Sequence, residues 1–205
     1  MHDFVKFQYV IRLPGMPGTD DALSEAASKG ATQPESDSRI KVRIDDLAFV
    51  GGEAIAWPVN EHLAPTTPLL RRLEIAGGAA LASKLRVEEP FPVGSAVVSD
   101  AGDLPADLLV SAVIVSENEQ VTPSSVRRAL TSALQRATDW QIENLACAPF
   151  GLGAGNLDVD ESAEIMVEVL ARHLSRASFP AIVTIIVESE LERDAFAAAL
   201  SNPNR

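Results

Sequence analysis

Residues 146–157 read Ala-Cys-Ala-Pro-Phe-Gly-Leu-Gly-Ala-Gly-Asn-Leu, three alternating glycines between an apolar run and an amphipathic stretch. Glu143 to Ala148 reads as a β-strand. A helix is expected from about Asp160 to Leu174, with Ile165, Met166, Val169 and Leu170 on its core face. A turn that carries Gly151, Gly153 and Gly155 from strand to helix has no Cβ to block positive φ angles, so its backbone N–H groups can converge on one point. The first turn of the helix adds free N–H groups and the positive end of its dipole. Gly151, Leu152, Gly153, Ala154, Gly155 and Asn156 are therefore candidates to hold a phosphate or pyrophosphate. No Gly-Lys-Ser/Thr follows, so triphosphate hydrolysis is not suggested. The same residues also read as a tight turn whose glycines serve geometry alone.

Outward from this turn, strands alternate with helices. Downstream, Ala181 to Val187 reads as a strand, and Ser189 to Glu192 as a capping box for a helix ending near Leu200. Upstream, Thr122-Pro123 opens a helix with Val126, Ala129, Leu130, Ala133, Leu134 and Ala137 at helical spacing. Ser95 to Ser99 and Leu108 to Val115 read as buried strands. Thr67 is an expected N-cap before Pro68, with Leu69, Leu70 and Leu73 on the apolar face, and a second helical stretch follows Gly77-Gly78 to Leu85. Ile40 to Val50 reads as a strand broken at Asp45-Asp46, and Glu53 to Val59 as another. The pattern predicts an α/β domain over residues 40–201, its mostly parallel sheet covered on both faces. Residues 14–39 read as a polar, flexible connector, and residues 1–13 hold an extra strand, Phe4 to Leu13. That strand would pair with the sheet edge or with another chain, a route to a homo-oligomer.

Composition narrows the function. The chain has 205 residues, 46% of them hydrophobic, enough for one domain with a core. Its net charge of −12 opposes a nucleic-acid backbone, so no duplex partner is expected, while a small anion held by backbone amides remains compatible. Cys147 is the one cysteine and reads as a buried free thiol, compatible with a reducing compartment. No run approaches ~18 apolar residues, so no membrane span is expected. Met1 to Leu13 lacks a secretory pattern, and a cytoplasmic location is expected. His2, His62 and His173 are far apart and no Cys/His pair has ligand spacing, so neither metal nor cofactor is expected. Asp158, Asp160, Glu161 and Glu164 read as capping and dipole-complementing acids. Trp140 is expected to pack as a lid on the core, and Trp57 to line the cleft on the strand leading to Asn60.

Several segments, taken in order from Ile40 to Leu200, resemble the macrodomain family, whose members are ADP-ribose-binding modules. Phe91-Pro92-Val93-Gly94-Ser95-Ala96-Val97-Val98 is similar to the family's Cys-Pro-Thr-Gly-Glu-Ala segment. Leu104-Pro105-Ala106-Asp107-Leu108-Leu109-Val110 resembles its Leu-Pro-Ala-Lys-Tyr-Val-Ile segment, and residues 150–157 its phosphate-binding loop. The resemblance implies a three-layer α/β/α fold on a mixed sheet, here with the extra N-terminal strand. It also implies ADP-ribose, a related nucleotide or an ADP-ribosylated protein as partner.

By the same resemblance, Asp45-Asp46-Leu47 stands for the family's Gly-Asp-Ile. Asp46 then matches the carboxylate that accepts from the adenine amino group, with Leu47 beside it in the ligand set. The family's Asp-Ala-Ile-Val-Asn-Ala-Ala-Asn reads Glu53-Ala54-Ile55-Ala56-Trp57-Pro58-Val59-Asn60, so Asn60 matches a contact to the distal ribose while Trp57 replaces the first asparagine. Taken without the resemblance, Asp46 is also a turn aspartate and Asn60 a turn cap. A glycine run in hydrolytic members is here Leu63-Ala64-Pro65-Thr66-Thr67-Pro68, stiffer and with fewer amide donors. Nearby, Glu61 and His62 are the groups able to move protons. Neither matches a catalytic residue, so no catalytic residue is assigned, and both read as parts of an exposed loop. The family's adenine-stacking aromatic is absent around Ile186-Val187-Glu188, leaving Val187 to pack on adenine with less stacking energy. The favoured reading is nucleotide binding without turnover. Two alternatives stay open: an ADP-ribosyl hydrolase acting on ADP-ribosylated protein or O-acetyl-ADP-ribose, and a degenerate module that binds a protein.

Overall fold

The computed structural model describes residues 39–153 and 157–201. The strand expected at Phe4 to Leu13, the connector up to residue 38, and Ala154, Gly155 and Asn156 lie outside the described residues. Among the described residues six strands form one sheet: β1 (Ile40–Ile44), β2 (Gly52–Asn60), β3 (Ala96–Asp100), β4 (Ala106–Val115), β5 (Asn144–Cys147) and β6 (Ile182–Val187). Their order is β1-β6-β5-β2-β4-β3. Every neighbouring pair is parallel except β3 with β4, so the sheet is mixed.

Among the described residues five helices cover it: α1 (Pro68–Ala76), α2 (Gly78–Lys84), α3 (Pro123–Asp139), α4 (Val159–Leu174) and α5 (Glu190–Ser201). The period-2 alternation of β2 divides its side chains between two layers. Ala54 and Ala56 join the core beneath α3, α4 and α5, whereas Ile55, Trp57 and Val59 join the core beneath α1 and α2. α3 packs on β3, β4 and α4 from this side. The predicted core face of α3, from Val126 to Ala137, is wholly buried. Thr122 and Ser125 close a capping box at its start, satisfying two end N–H groups.

Three expectations change. The first strand ends at Ile44, and Leu47–Phe49 forms a short 3-10 turn in place of further strand. Asp45 Oδ1 accepts from the Asp46 N–H (2.8 Å) and Asp46 Oδ1 from the Ala48 N–H (3.0 Å), local bonds that displace a ladder. β3 is a half-buried edge strand, not a buried one, because β4 is its single neighbour. Trp140 caps α3 and is 55% exposed; Ile142, just past Gln141 with φ of 56°, takes the core position instead. Among the described residues no helix is long and apolar enough to cross a membrane.

Candidate functional site

A cleft of about 230 Å³ opens where β1, β5 and β6 end. Asp45, Asp46, Leu47 and Ala48 line it after β1, and Ala148, Pro149, Leu152 and Gly153 after β5. Ile186 and Glu188 at the end of β6, Glu192 on α5, and Thr67, Leu69, Leu70 and Leu73 of α1 and its cap complete the wall. Carboxyl ends of parallel strands are where open α/β sheets leave such a crevice.

The turn after β5 is anchored before it reaches the cleft. Phe150 is fully buried; its N–H donates to Met166 Sδ (3.1 Å), and its carbonyl accepts from Ser162 Oγ (2.7 Å). Both partners sit on α4, so the helix holds the turn's first residue. Gly151 (φ 88°) and Gly153 (φ 77°) take the left-handed conformation the sequence predicts for them. A Cβ on Gly151 would stand 2.7 Å from Leu157 Cδ1, and one on Gly153 2.7 Å from Thr67 Cγ2. Both glycines are thus favoured by φ, and at Gly153 the Thr67 side chain also occupies the space. Among the described residues, no acceptor takes the N–H groups of Gly151, Leu152 or Gly153.

The helix that follows contributes less than expected. Asp158 caps α4 by accepting from the Glu161 N–H (2.8 Å), and Asp160 and Glu161 add negative charge to its first turn. These acids already complement the dipole.

The other end of the cleft is acidic. Asp45, Asp46, Glu188 and Glu192 face it, and Arg72 pairs with Glu188 (2.8 Å) from α1. Burial, followed by repulsion from Glu192 and Asp46, holds the Glu188 carboxyl above the ordinary carboxylate value of 4.5, while Arg72 pulls it down. A larger depression, about 420 Å³, lies on the opposite layer between α3 and α4. Part of its charged wall is paired, Glu168 with both Arg127 and Arg172.

The Macro domain family profile matches residues 58–166, just over half the chain. The chain belongs to the macrodomain family.

This macrodomain is 28% identical over 155 residues to an uncharacterized protein of Aeropyrum pernix, covering 75% of this chain and 81% of that one. It is 26% identical over 161 residues to an uncharacterized Mycobacterium tuberculosis protein, covering 78% of this chain but 44% of that one. The chain thus spans less than half the length of that mycobacterial relative. Among solved structures, the Oceanobacillus iheyensis macrodomain with ADP superposes with a TM-score of 0.70 at 15% identity, covering 78% of this chain and 89% of that one. The Trypanosoma brucei macrodomain in complex with ADP gives 0.71 at 13%, covering 79% and 69%. These identities show a shared fold.

Within the macrodomain, the sequence-derived site residues separate. Asp46, Leu47, Leu152 and Gly153 line one cleft, and Gly151 supports it. Val187 does not line it: its side chain is fully buried in the opposite layer, and alternation along β6 turns Ile186 and Glu188 to the cleft instead. Asn60 is absent from the lining, and its Oδ1 accepts from the His62 N–H (3.0 Å) and the Ala64 N–H (2.9 Å) as a turn cap. Trp57 does not line the cleft either. It is fully buried and donates from Nε1 to Ser111 Oγ (2.8 Å), so this indole is core with its one polar atom satisfied.

Glu61, expected on an exposed loop, is buried, and its Oε1 accepts from the Glu117 N–H (2.8 Å). His62 is exposed, with Nδ1 3.3 Å from the Val87 carbonyl oxygen. Cys147 is fully buried as expected, and burial pushes its thiol up to about 12. Sequence reasoning missed Asp45, Thr67, Glu188 and Glu192 as cleft residues. For Glu188 a signal existed: it is two residues beyond Ile186, on the same side of an extended chain. No group of three or more His, Cys, Asp or Glu able to hold a metal occurs among the described residues.

Proposed function

We propose that this macrodomain binds ADP-ribose or a related nucleotide diphosphate, and does so without turning it over. One observation carries the reading: an amine-seeking carboxylate, Asp46, and two turn residues, Leu152 and Gly153, whose amides have no acceptor among the described residues, line the same cleft. Asp46 Oδ1 is taken by its own turn, which leaves Oδ2 to accept from an exocyclic amine. The neighbouring Leu47 N–H has no acceptor among the described residues, so a donor stands beside the acceptor. Adenine presents the complementary pair, an amine next to a ring nitrogen. Ile186 and Leu47 supply apolar contact to the base in place of an aromatic. The diphosphate lies on the glycine turn, where amide donors act without side-chain charge. Solved macrodomains of similar fold hold ADP, which supports a nucleotide as ligand.

Binding is favoured over hydrolysis by the Asn60–Thr67 turn. Cleavage at an anomeric carbon needs a positioned water and stabilisation of a cationic transition state. Here the turn is braced by Pro65, which bridges to Val59, and its acid, Glu61, is buried and engaged. A protein-linked ADP-ribose remains within the proposed ligand class. Calorimetry with ADP-ribose tests the reading: micromolar binding to the wild-type protein, lost in Gly153→Glu, is expected. No heat from ADP-ribose, ADP or AMP would remove it and leave protein interaction as the leading role.

A further inference from the structure

We infer that Glu188 reads the ribose of the bound nucleoside, accepting hydrogen bonds from its 2′- and 3′-hydroxyls and excluding a ribose phosphorylated at either position. The inference rests on the nucleotide-binding reading above, which puts the base at Asp46 and the phosphates on the glycine turn. Strand order fixes what lies between them. Asp46 follows β1, the glycine turn follows β5, and β6 runs between those two strands. With neighbouring strands ~4.8 Å apart, the ends of β1 and β5 stand ~10 Å apart, a gap that a nucleoside spans with its sugar over the end of β6.

That end presents Glu188. Register sets Ile44 of β1 beside Val187 and Cys147 of β5 beside Ile185, and the Asp45 N–H donates to the Val187 carbonyl (3.1 Å). Glu188 therefore leaves the sheet next to the Asp45-Asp46 pair. It lines the cleft with Ile186, two residues back on the same side of the chain. Two bonds hold it in place. The Glu188 N–H donates to Glu192 Oε2 (2.8 Å), and Arg72 Nη2 donates to Glu188 Oε1 (2.8 Å). Glu188 Oε2 takes no donor among the described residues, and the side chain is half-buried, open to the cleft.

An ionised carboxylate only accepts hydrogen bonds, and a vicinal diol offers two donors to it. In α/β folds that bind dinucleotides an acidic side chain takes the ribose 2′-hydroxyl by the same chemistry. A phosphate ester at either hydroxyl would remove a donor and bring a charge of about −2 to a wall where Asp46, Glu188 and Glu192 already meet. The nearby cations are engaged, Arg43 with Asp45 (3.0 Å) and Arg72 with Glu188. Burial, and then repulsion from Glu192 and Asp46 against the pull of Arg72, already hold the Glu188 carboxyl above its ordinary value. The ligand class narrows to adenosine diphosphates whose ribose carries both hydroxyls free.

The test is calorimetry of the full chain with ADP, 2′-deoxy-ADP and ADP bearing a 2′-phosphate. ADP should bind about tenfold tighter than either analogue. Glu188→Ala should bring ADP and 2′-deoxy-ADP to within about twofold of one another. Wild-type protein that binds either analogue as tightly as ADP would overturn the inference while leaving the nucleotide reading in place. A preference for ADP over 2′-deoxy-ADP that survives in Glu188→Ala would do the same. No binding by any of the three would remove both readings. The wild-type comparison stands whether or not the variant folds, and thermal unfolding reports on the variant.

Discussion

Gly153 concentrates two demands in one position. Its φ of 77° disfavours any Cβ, and the Thr67 methyl group stands where that Cβ would go. Gly153→Ala is expected to lower unfolding stability by about 1–2 kcal/mol in urea titrations, the usual penalty of a left-handed non-glycine residue. An unchanged midpoint would show that the turn relaxes freely. At Asp46 the two roles can be separated, because asparagine retains a side-chain oxygen to cap the turn but presents less negative charge to an amine. Asp46→Asn should weaken nucleotide binding by about tenfold with little change in melting temperature, read by calorimetry beside thermal unfolding. Cys147 gives a third expectation. With the thiol raised from 9.0 to about 12 and fully buried, a thiol reagent at pH 8 should leave the folded protein unlabelled and react once urea is added. Rapid labelling of native protein would contradict the burial.

The elements around the cleft set its charge. β6 delivers Glu188 to the wall beside Asp46, and burial raises the Glu188 carboxyl above 4.5. The unfolded chain therefore loses this proton first as pH rises. Between 4.5 and the raised folded value the native state binds more protons, so this group's stabilising contribution, full below 4.5, is lost through that window. Glu188→Gln should thus be at least as stable as wild type at pH 7, the advantage vanishing below 4.5, as measured by urea midpoints across pH. The effect is small because the carboxylate is 40% exposed and paired with Arg72. The existence of β6 was legible from Ala181 to Val187, but not that Val187 is buried in the opposite layer while Ile186 and Glu188 face the cleft. A fully apolar strand buried on both faces has no polar alternation to reveal which side faces the cleft. The Asp158 cap, by contrast, could be read directly, since N-caps depend on three or four consecutive residues.

Across the whole chain the charge is −12, and the proposed ligand is also anionic. Raising salt from about 50 to 300 mM should leave nucleotide affinity unchanged or slightly improved, because screening weakens repulsion at a range beyond ~10 Å. A marked loss of affinity with salt would point to cationic side chains at the phosphates instead of backbone amides. The elements, their order and the covered sheet were largely determined by the sequence itself. Helical spacing, caps such as Thr67 and Thr122, and short β-branched runs act over a few neighbouring residues, so no long-range knowledge is needed to read them. Only the tertiary structure decided what faces the cleft. It turned Trp57 into the core onto Ser111, drew Asn60 into its own turn, and brought Asp46, Thr67, Gly153 and Glu188 together from distant parts of the chain. The side toward which a strand residue points, and the partner that takes its polar atoms, depend on register and on the layer packed above. Those are settled by contacts between residues far apart in the chain, which local pattern does not encode.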